Sequence, residues 1–235
     1  MTDKAVADIG CGFGRNIAHV AQNLRAADCV GVDSSPSQIS RASNRYGRLP
    51  NLTFTCTDAT SYLNRHPARF DVIFSVLGAV DFSDPCELLP AIARALRPAG
   101  RLVFSTAATR SDGTPASTEV KPVRVSLPLS DDTGREISRW TLDAHLWQEL
   151  LTKYGLVLQS LRPIKPPAQA SGPTTNVFSC RLASQSVARL PAAEDNPASI
   201  LSALPTGMVA GQLPARSIHI EPTITPGTAE GDPRS

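Results

Sequence analysis

Apolar positions along this chain recur in two rhythms, and up to about residue 183 the two rhythms alternate. Lys4 to Ile9 is a short apolar run that ends in glycines and reads as a strand. From Asn16 to Leu24, Ile17, Val20, Ala21 and Leu24 fall at helical intervals. Cys29 to Val32 is a second strand, closed by Asp33. Ser35-Pro36 has the form of a helix start, with Ser35 as cap and Pro36 in the first turn, and predicts a helix to about Tyr46. Leu52 to Cys56 is a third strand and Phe70 to Phe74 a fourth, the latter continuously apolar as expected for a strand covered on both faces. Asp84 caps a helix over Pro85 to Leu96. Arg97-Pro98-Ala99-Gly100 reads as its stop and a turn, and Arg101 to Ser105 as a fifth strand. Thr141-Leu142-Asp143 opens a further helix to about Tyr154. Leu156 to Leu161 and Asn176 to Leu182 form a final strand pair, joined by the Pro- and Ala-rich stretch Pro163 to Pro173.

Strands alternating with helices imply parallel crossovers, hence an open sheet with helices on both faces. The segment 107–140 breaks the alternation. It holds Gly113-Thr114-Pro115 and Ser130-Asp131-Asp132, with one alternating stretch, Val123 to Leu129, and it predicts a loop with a hairpin. It follows the carboxyl end of the fifth strand, the edge where open parallel sheets bind ligands, so it is the candidate wall of an acceptor pocket. After Ser184 prolines punctuate the chain at short intervals and aromatic residues are absent. Such a segment buries too little surface to offset its ordering entropy, which predicts a Pro-rich disordered tail over 184–235 with a short helix near Ala198 to Leu204. The division expected is therefore a domain over 1–183 followed by that tail.

Composition narrows the function. The chain has 235 residues, enough for one α/β domain and an appendage. Its net charge is +2, and its arginines are scattered along the sequence, so no nucleic-acid partner is expected. The five cysteines, Cys11, Cys29, Cys56, Cys86 and Cys180, form no C-x-x-C pair and no cluster with metal spacing. They read as reduced thiols, and no metal is expected. No charged-then-apolar leader opens the chain, and no apolar run nears the roughly 20 residues that span a bilayer. A cytoplasmic protein without membrane contact is expected.

The most informative residues are Asp8-Ile9-Gly10-Cys11-Gly12-Phe13-Gly14, between a strand and a helix. Glycines at alternate positions let the backbone turn sharply and approach a ligand closely. A dinucleotide enzyme spaces them G-x-G-x-x-G. Here the third glycine comes one residue early and an acid leads the motif. Val30-Gly31-Val32-Asp33 ends the second strand with an acid, Cys56-Thr57-Asp58-Ala59 follows the third, and Ser75-Val76-Leu77-Gly78 follows the fourth. Together with Leu96 to Leu102 these stretches resemble the class I methyltransferases that use S-adenosyl-L-methionine (SAM), over about residues 4 to 182.

The resemblance implies a Rossmann-like three-layer α/β sandwich. Its sheet would be mostly parallel and seven-stranded, with an antiparallel final strand. Most of the family's N-terminal helical cover would be lacking, since this chain starts almost at the first strand. It also implies SAM as cofactor. Asp8 would lie near the methionine amino end, with Gly10, Cys11, Gly12 and Gly14 as the loop floor. Asp33, followed by Ser34, would hold the ribose hydroxyls, Asp58 and Ala59 the adenine, and Ser75 would lie beside the sulfonium.

Methyl transfer from a sulfonium is an in-line displacement that rests largely on positioning, and a base is needed only when the acceptor must lose a proton early. Candidate bases are His145, at the start of the helix after the insertion, and Asp81, after the fourth strand; His19, His66 and His219 are the other histidines. The Asn/Asp-Pro-Pro-Tyr/Phe signature of nucleic-acid amine methylation is absent from Ser75 to Asp81. The expectation is a small-molecule acceptor methylated at oxygen, nitrogen or carbon. Two alternatives stand beside it: a catalytically weak or inactive SAM-binding partner subunit, and a protein or peptide methyltransferase. A homodimer or a partner protein fits either. An NAD-dependent oxidoreductase is opposed by the glycine spacing.

Overall fold

Seven strands form one sheet in the computed structural model, in the order β3-β2-β1-β4-β5-β9-β8. The structure describes residues 2–110, 112–127, 135–166 and 174–183, so the expected tail, its short helix and His219 lie outside the described residues. Strands β1 (Ala5–Ile9), β2 (Asp28–Asp33), β3 (Leu52–Cys56), β4 (Phe70–Val76) and β5 (Leu96–Ala107) are parallel. β9 (Thr175–Leu182) runs antiparallel to both β5 and β8 (Leu156–Ile164). The Rossmann-like sheet expected from the sequence, with its antiparallel last strand, is what forms. The insertion holds a separate antiparallel hairpin, β6 (Val123–Leu127) with β7 (Arg135–Arg139).

Helix starts follow local chemistry. In α2 (Pro36–Tyr46) the Ser35 hydroxyl accepts from Gln38 N–H, with Pro36 at the first position. Asp84 accepts from Cys86 N–H at the start of α5 (Pro85–Ala95), and Asp143 from Leu146 N–H at the start of α6 (Ala144–Lys153). The sequence pattern did not foresee α3 (Ala59–Asn64) and α4 (Ala79–Phe82). The expected turn at Arg97 to Gly100 is also corrected: β5 runs through it as a bulged strand, with a register shift opposite Phe70/Val72 and Ala99 at φ 63°.

Each sheet face buries its own cluster. On one, Ile9, Val32, Ile73, Leu102, Phe104 and Phe178 pack against residues of α3, α5 and α6, among them the fully buried Trp147. Phe104 stacks on Phe178 with ring centroids 4.7 Å apart and meets Trp147 edge-on at 5.2 Å. On the other, Val6, Cys29 and Leu52 pack against Ile17, Ala18 and Ala21 of α1 (Arg15–Asn23). Farther along that second face, Val76 of β4 and Val157 of β8 are 41% and 50% exposed. The chain enters β1 at Ala5, so among the described residues no helix precedes the sheet. None of the described helices is long and apolar enough to cross a membrane.

From β1 the chain winds outward to β3 and then returns to place β4 on the other side of β1. The winding direction reverses between β1 and β4, so their carboxyl ends open a crevice suited to a ligand.

Candidate functional site

The loop leaving β1 is built from backbone that only glycine adopts easily. Gly10, Gly12 and Gly14 have φ of 74°, 54° and 80°. A Cβ at Gly10 would collide with the backbone of Gly78 and Ala79, just past β4, and one at Gly14 would meet the Phe54 ring at 2.6 Å. The loop is tied to the neighbouring strand by two bonds, from Gly10 N–H and Cys11 N–H to the Val32 carbonyl, at 2.8 and 3.0 Å.

Asp33, at the end of β2, joins the loop to the next helix. One carboxylate oxygen accepts from Gly12 N–H at 2.8 Å and the other from Ser35 N–H at 2.9 Å. Each oxygen keeps a further lone pair, and the side chain is only half-buried, so a diol could still bond to it. Ser34, the next residue, is exposed.

Asp8, at the end of β1, is 1% exposed, and its Oδ2 has no hydrogen-bond partner among the described residues. Burial, and then the charge of Asp33, push its carboxyl well above the usual carboxylate range. A dry carboxyl with a free oxygen is the arrangement a ligand ammonium would relieve. Cys11 is buried beside these two acids, and burial first, then their charges, push its thiol up. It is therefore a neutral thiol that contributes backbone and packing.

Asp58 is the cap of α3, its Oδ1 accepting from Ser61 N–H at 2.8 Å. It is exposed and keeps its other oxygen. Ala59 begins the helix, so its N–H lacks an intrahelical partner. Ser75 is fully buried: its hydroxyl donates to the Ile9 carbonyl at 2.9 Å and accepts from Val80 N–H at 3.4 Å. The structure thus uses Ser75 to pin the start of α4 beneath the glycine loop.

The candidate bases diverge. His145 is on α6 with its side chain 83% exposed, 3.3 Å from Glu149 on the outer face. His66 bonds to the Tyr62 carbonyl and stacks on its ring, and His19 pairs with Asn23 on the surface of α1. Asp81, on α4, is fully buried. Its Oδ2 accepts from Arg139 Nη2 at 2.9 Å, and its carbonyl accepts from Trp140 N–H at 2.8 Å. The Arg139 guanidinium also sits 5.6 Å from the Phe82 ring centroid. Sequence inspection did not foresee this Asp81–Arg139 pair, which clamps the end of the β6–β7 hairpin against α4, at the carboxyl edge of β4. Burial raises the Asp81 carboxyl, while Thr106 and Arg139 draw it back. Leu77, between β4 and α4, is held at φ 48°, its N–H donating to the Ser105 hydroxyl and carbonyl. No group of three or more His, Cys, Asp or Glu among the described residues could hold a metal ion.

Residues 6–100 match the family described as "Methyltransferase domain". A malonyl-[acyl-carrier protein] O-methyltransferase of Marinomonas is 30% identical over 101 residues, 43% of this chain and 37% of that protein. A trans-aconitate 2-methyltransferase of Escherichia coli is 34% identical over 99 residues, 42% of this chain and 37% of that protein. The chain thus spans less than half the length of the relatives it matches. A solved structure from Listeria monocytogenes, described as a SAM-dependent methyltransferase, superposes with a TM-score of 0.62 at 17% identity, covering 77% of this chain and 92% of that one.

Proposed function

We propose that this chain is a class I SAM-dependent methyltransferase that transfers a methyl group to a small-molecule acceptor; the match of residues 6–100 to a methyltransferase domain and the likeness in fold support the reading. The observation that carries the reading is Asp33: one half-buried carboxylate bonded to both the glycine loop and the start of α2, each oxygen keeping a further lone pair. When bound, SAM supplies a methyl group already activated on a sulfonium, open to in-line displacement.

The chain's own residues bind and orient. Gly10, Gly12 and Gly14 keep the loop floor free of Cβ atoms. Asp33 offers two acceptor oxygens to a ribose diol. Asp58 has one carboxylate oxygen to accept from an adenine amino group, and Ala59 N–H would donate to a ring nitrogen. The orphaned Asp8 oxygen would take an ammonium. The acceptor would approach from the carboxyl ends of β4 and β5, beneath the hairpin that Asp81 and Arg139 clamp. His145 is turned to solvent, and Asp81 is paired with Arg139 through Oδ2 while its Oδ1 has no partner among the described residues; positioning would supply much of the rate for an activated methyl group.

The test is calorimetric titration with SAM and S-adenosylhomocysteine, beside Asp33→Ala. Micromolar binding weakened about tenfold or more is expected for loss of a charged hydrogen-bond acceptor. Absence of binding by the folded native chain overturns the reading. Given binding, methyl turnover is screened on small carboxylic acids, phenols and amines, carboxylic acids first because two relatives are named for malonyl and aconitate acceptors.

A further inference from the structure

Two of the arginines that look scattered in sequence share one helix face. Arg41 and Arg45 stand one turn apart on α2, hence on the same side of the helix. With Asn44 and with Phe13, which lies between two loop glycines, they line a cavity of about 390 Å³. All four side chains belong to exposed residues. Neither head is loose: the Arg41 guanidinium lies 5.7 Å from the Phe13 ring centroid and that of Arg45 5.5 Å from the Tyr46 ring centroid.

Like charges one turn apart repel, and among the described residues this pair has no ion-pair partner. Neither α1 nor α2 contains an acidic residue. Asp28 is paired with Arg69, and Asp33 forms no ion pair with either arginine. Among the described residues no carboxylate lies within ion-pairing distance of Arg41 or Arg45. A solubilising surface intersperses both signs, whereas these two guanidiniums share one lining with no ion-pair partner among the described residues.

We infer that this cavity binds a phosphate monoester of a small molecule. Guanidinium forks match phosphate oxygens in a bidentate way, and the Asn44 amide adds a donor between them. The exposed Phe13 ring offers a face for the organic body of the ester. A cavity lined by four residues suits one small ligand rather than a polymer. The inference is independent of the methyl-transfer reading.

The experiment titrates the full chain with phenyl phosphate, inorganic phosphate and phenol, following amide chemical shifts, and repeats this on Arg41→Gln/Arg45→Gln and on Phe13→Ala. Glutamine is a good helix former at exposed positions, and thermal unfolding verifies that the double variant folds. Phenyl phosphate should bind the native chain about tenfold tighter than inorganic phosphate, with phenol not binding measurably. The double glutamine variant should lose about tenfold or more for both phosphates and keep S-adenosylhomocysteine affinity within about twofold. Phe13→Ala should erase the advantage of the ester over the free ion. Inorganic phosphate binding as tightly as the ester would show a bare-anion site and overturn the ester assignment. Undiminished phenyl phosphate affinity in the double variant overturns the site itself. Phosphate-ester binding in a chain that binds no S-adenosylhomocysteine would sustain this inference while removing the methyl-transfer reading.

Discussion

Replacing Arg139 with alanine leaves Asp81 as a buried carboxyl without its cation. The Asp81 side chain is 1% exposed and that of Arg139 22%, so the pair is dry at one end and wetted at the other. Removing one partner of a fully buried pair costs about 3–5 kcal/mol, and partial access of water to Arg139 places this case near the lower end. Loss of the guanidinium from the Phe82 face adds about 0.5–1 kcal/mol. The penalty depends on pH in a definite direction. Burial already raises the Asp81 carboxyl above its unfolded range, and deleting Arg139 removes an opposing influence and raises it further. A group raised on folding contributes stability below its unfolded pKa, and that contribution is lost as pH rises through the folded value. The variant should therefore approach native stability in acid and fall behind it as pH climbs. Urea unfolding from about pH 5 to about pH 8 reads this directly. Trp140 and Trp147 are both buried and report the transition by fluorescence. Arg139→Ala/Asp81→Asn should abolish the pH dependence while keeping a smaller constant loss. A deficit equal at both ends of the range would refute the reasoning.

Three further perturbations test the rest of the frame. Gly10→Ala forces a Cβ into the Gly78–Ala79 backbone at a φ of 74° and should abolish S-adenosylhomocysteine binding by calorimetry and lower the melting temperature. Asp71→Asn touches the group that fastens the start of β1, accepting from Ala5 N–H at 2.9 Å, Lys4 at 3.0 Å and Arg97 at 2.7 Å. Burial alone would raise that carboxyl, but these three donors outweigh it and hold it below its ordinary value. Its contribution, about 1–3 kcal/mol, should be full at neutral pH and disappear on acidification through the lowered pKa, measured as the gap between native and variant unfolding curves. Trp147→Ala empties a fully buried position against Phe104 and Phe178 and should cost about 3–5 kcal/mol in chemical unfolding.

What the sequence disclosed and what it withheld divide along the range of the interactions. Strands β1 to β5 and helices α1, α2, α5 and α6 announce themselves because a long periodic run and its capping residues lie within a dozen positions of one another. The two missed helices, α3 and α4, have six and four residues, too few for a period to show, and Asp58, read in sequence for the adenine, gives no separate sign of its capping role. The bulge at Arg97 to Gly100 carries the residues of a turn because part of its backbone is a turn, with Ala99 in the left-handed region. Only pairing with β4 makes it a strand. The glycine loop and Asp33 are legible for the same local reason as the long helices: backbone freedom and a strand-ending acid leave marks at fixed offsets. Asp81 shows the opposite case. Its place after β4 suggests a base, yet its charge is answered by Arg139, 58 residues away, and no local pattern encodes that partner. Arg41 and Arg45 gain meaning only when helix geometry turns four residues of sequence into one face and the β1–α1 loop brings Phe13 against it. The glycine-loop side of the crevice is thus written mainly in short-range signals, and the β4 and β5 side in contacts made across the insertion. The same division explains why the methyltransferase resemblance is legible in residues 8 to 59, whereas the pairing of Asp81 with Arg139 leaves no local pattern to read.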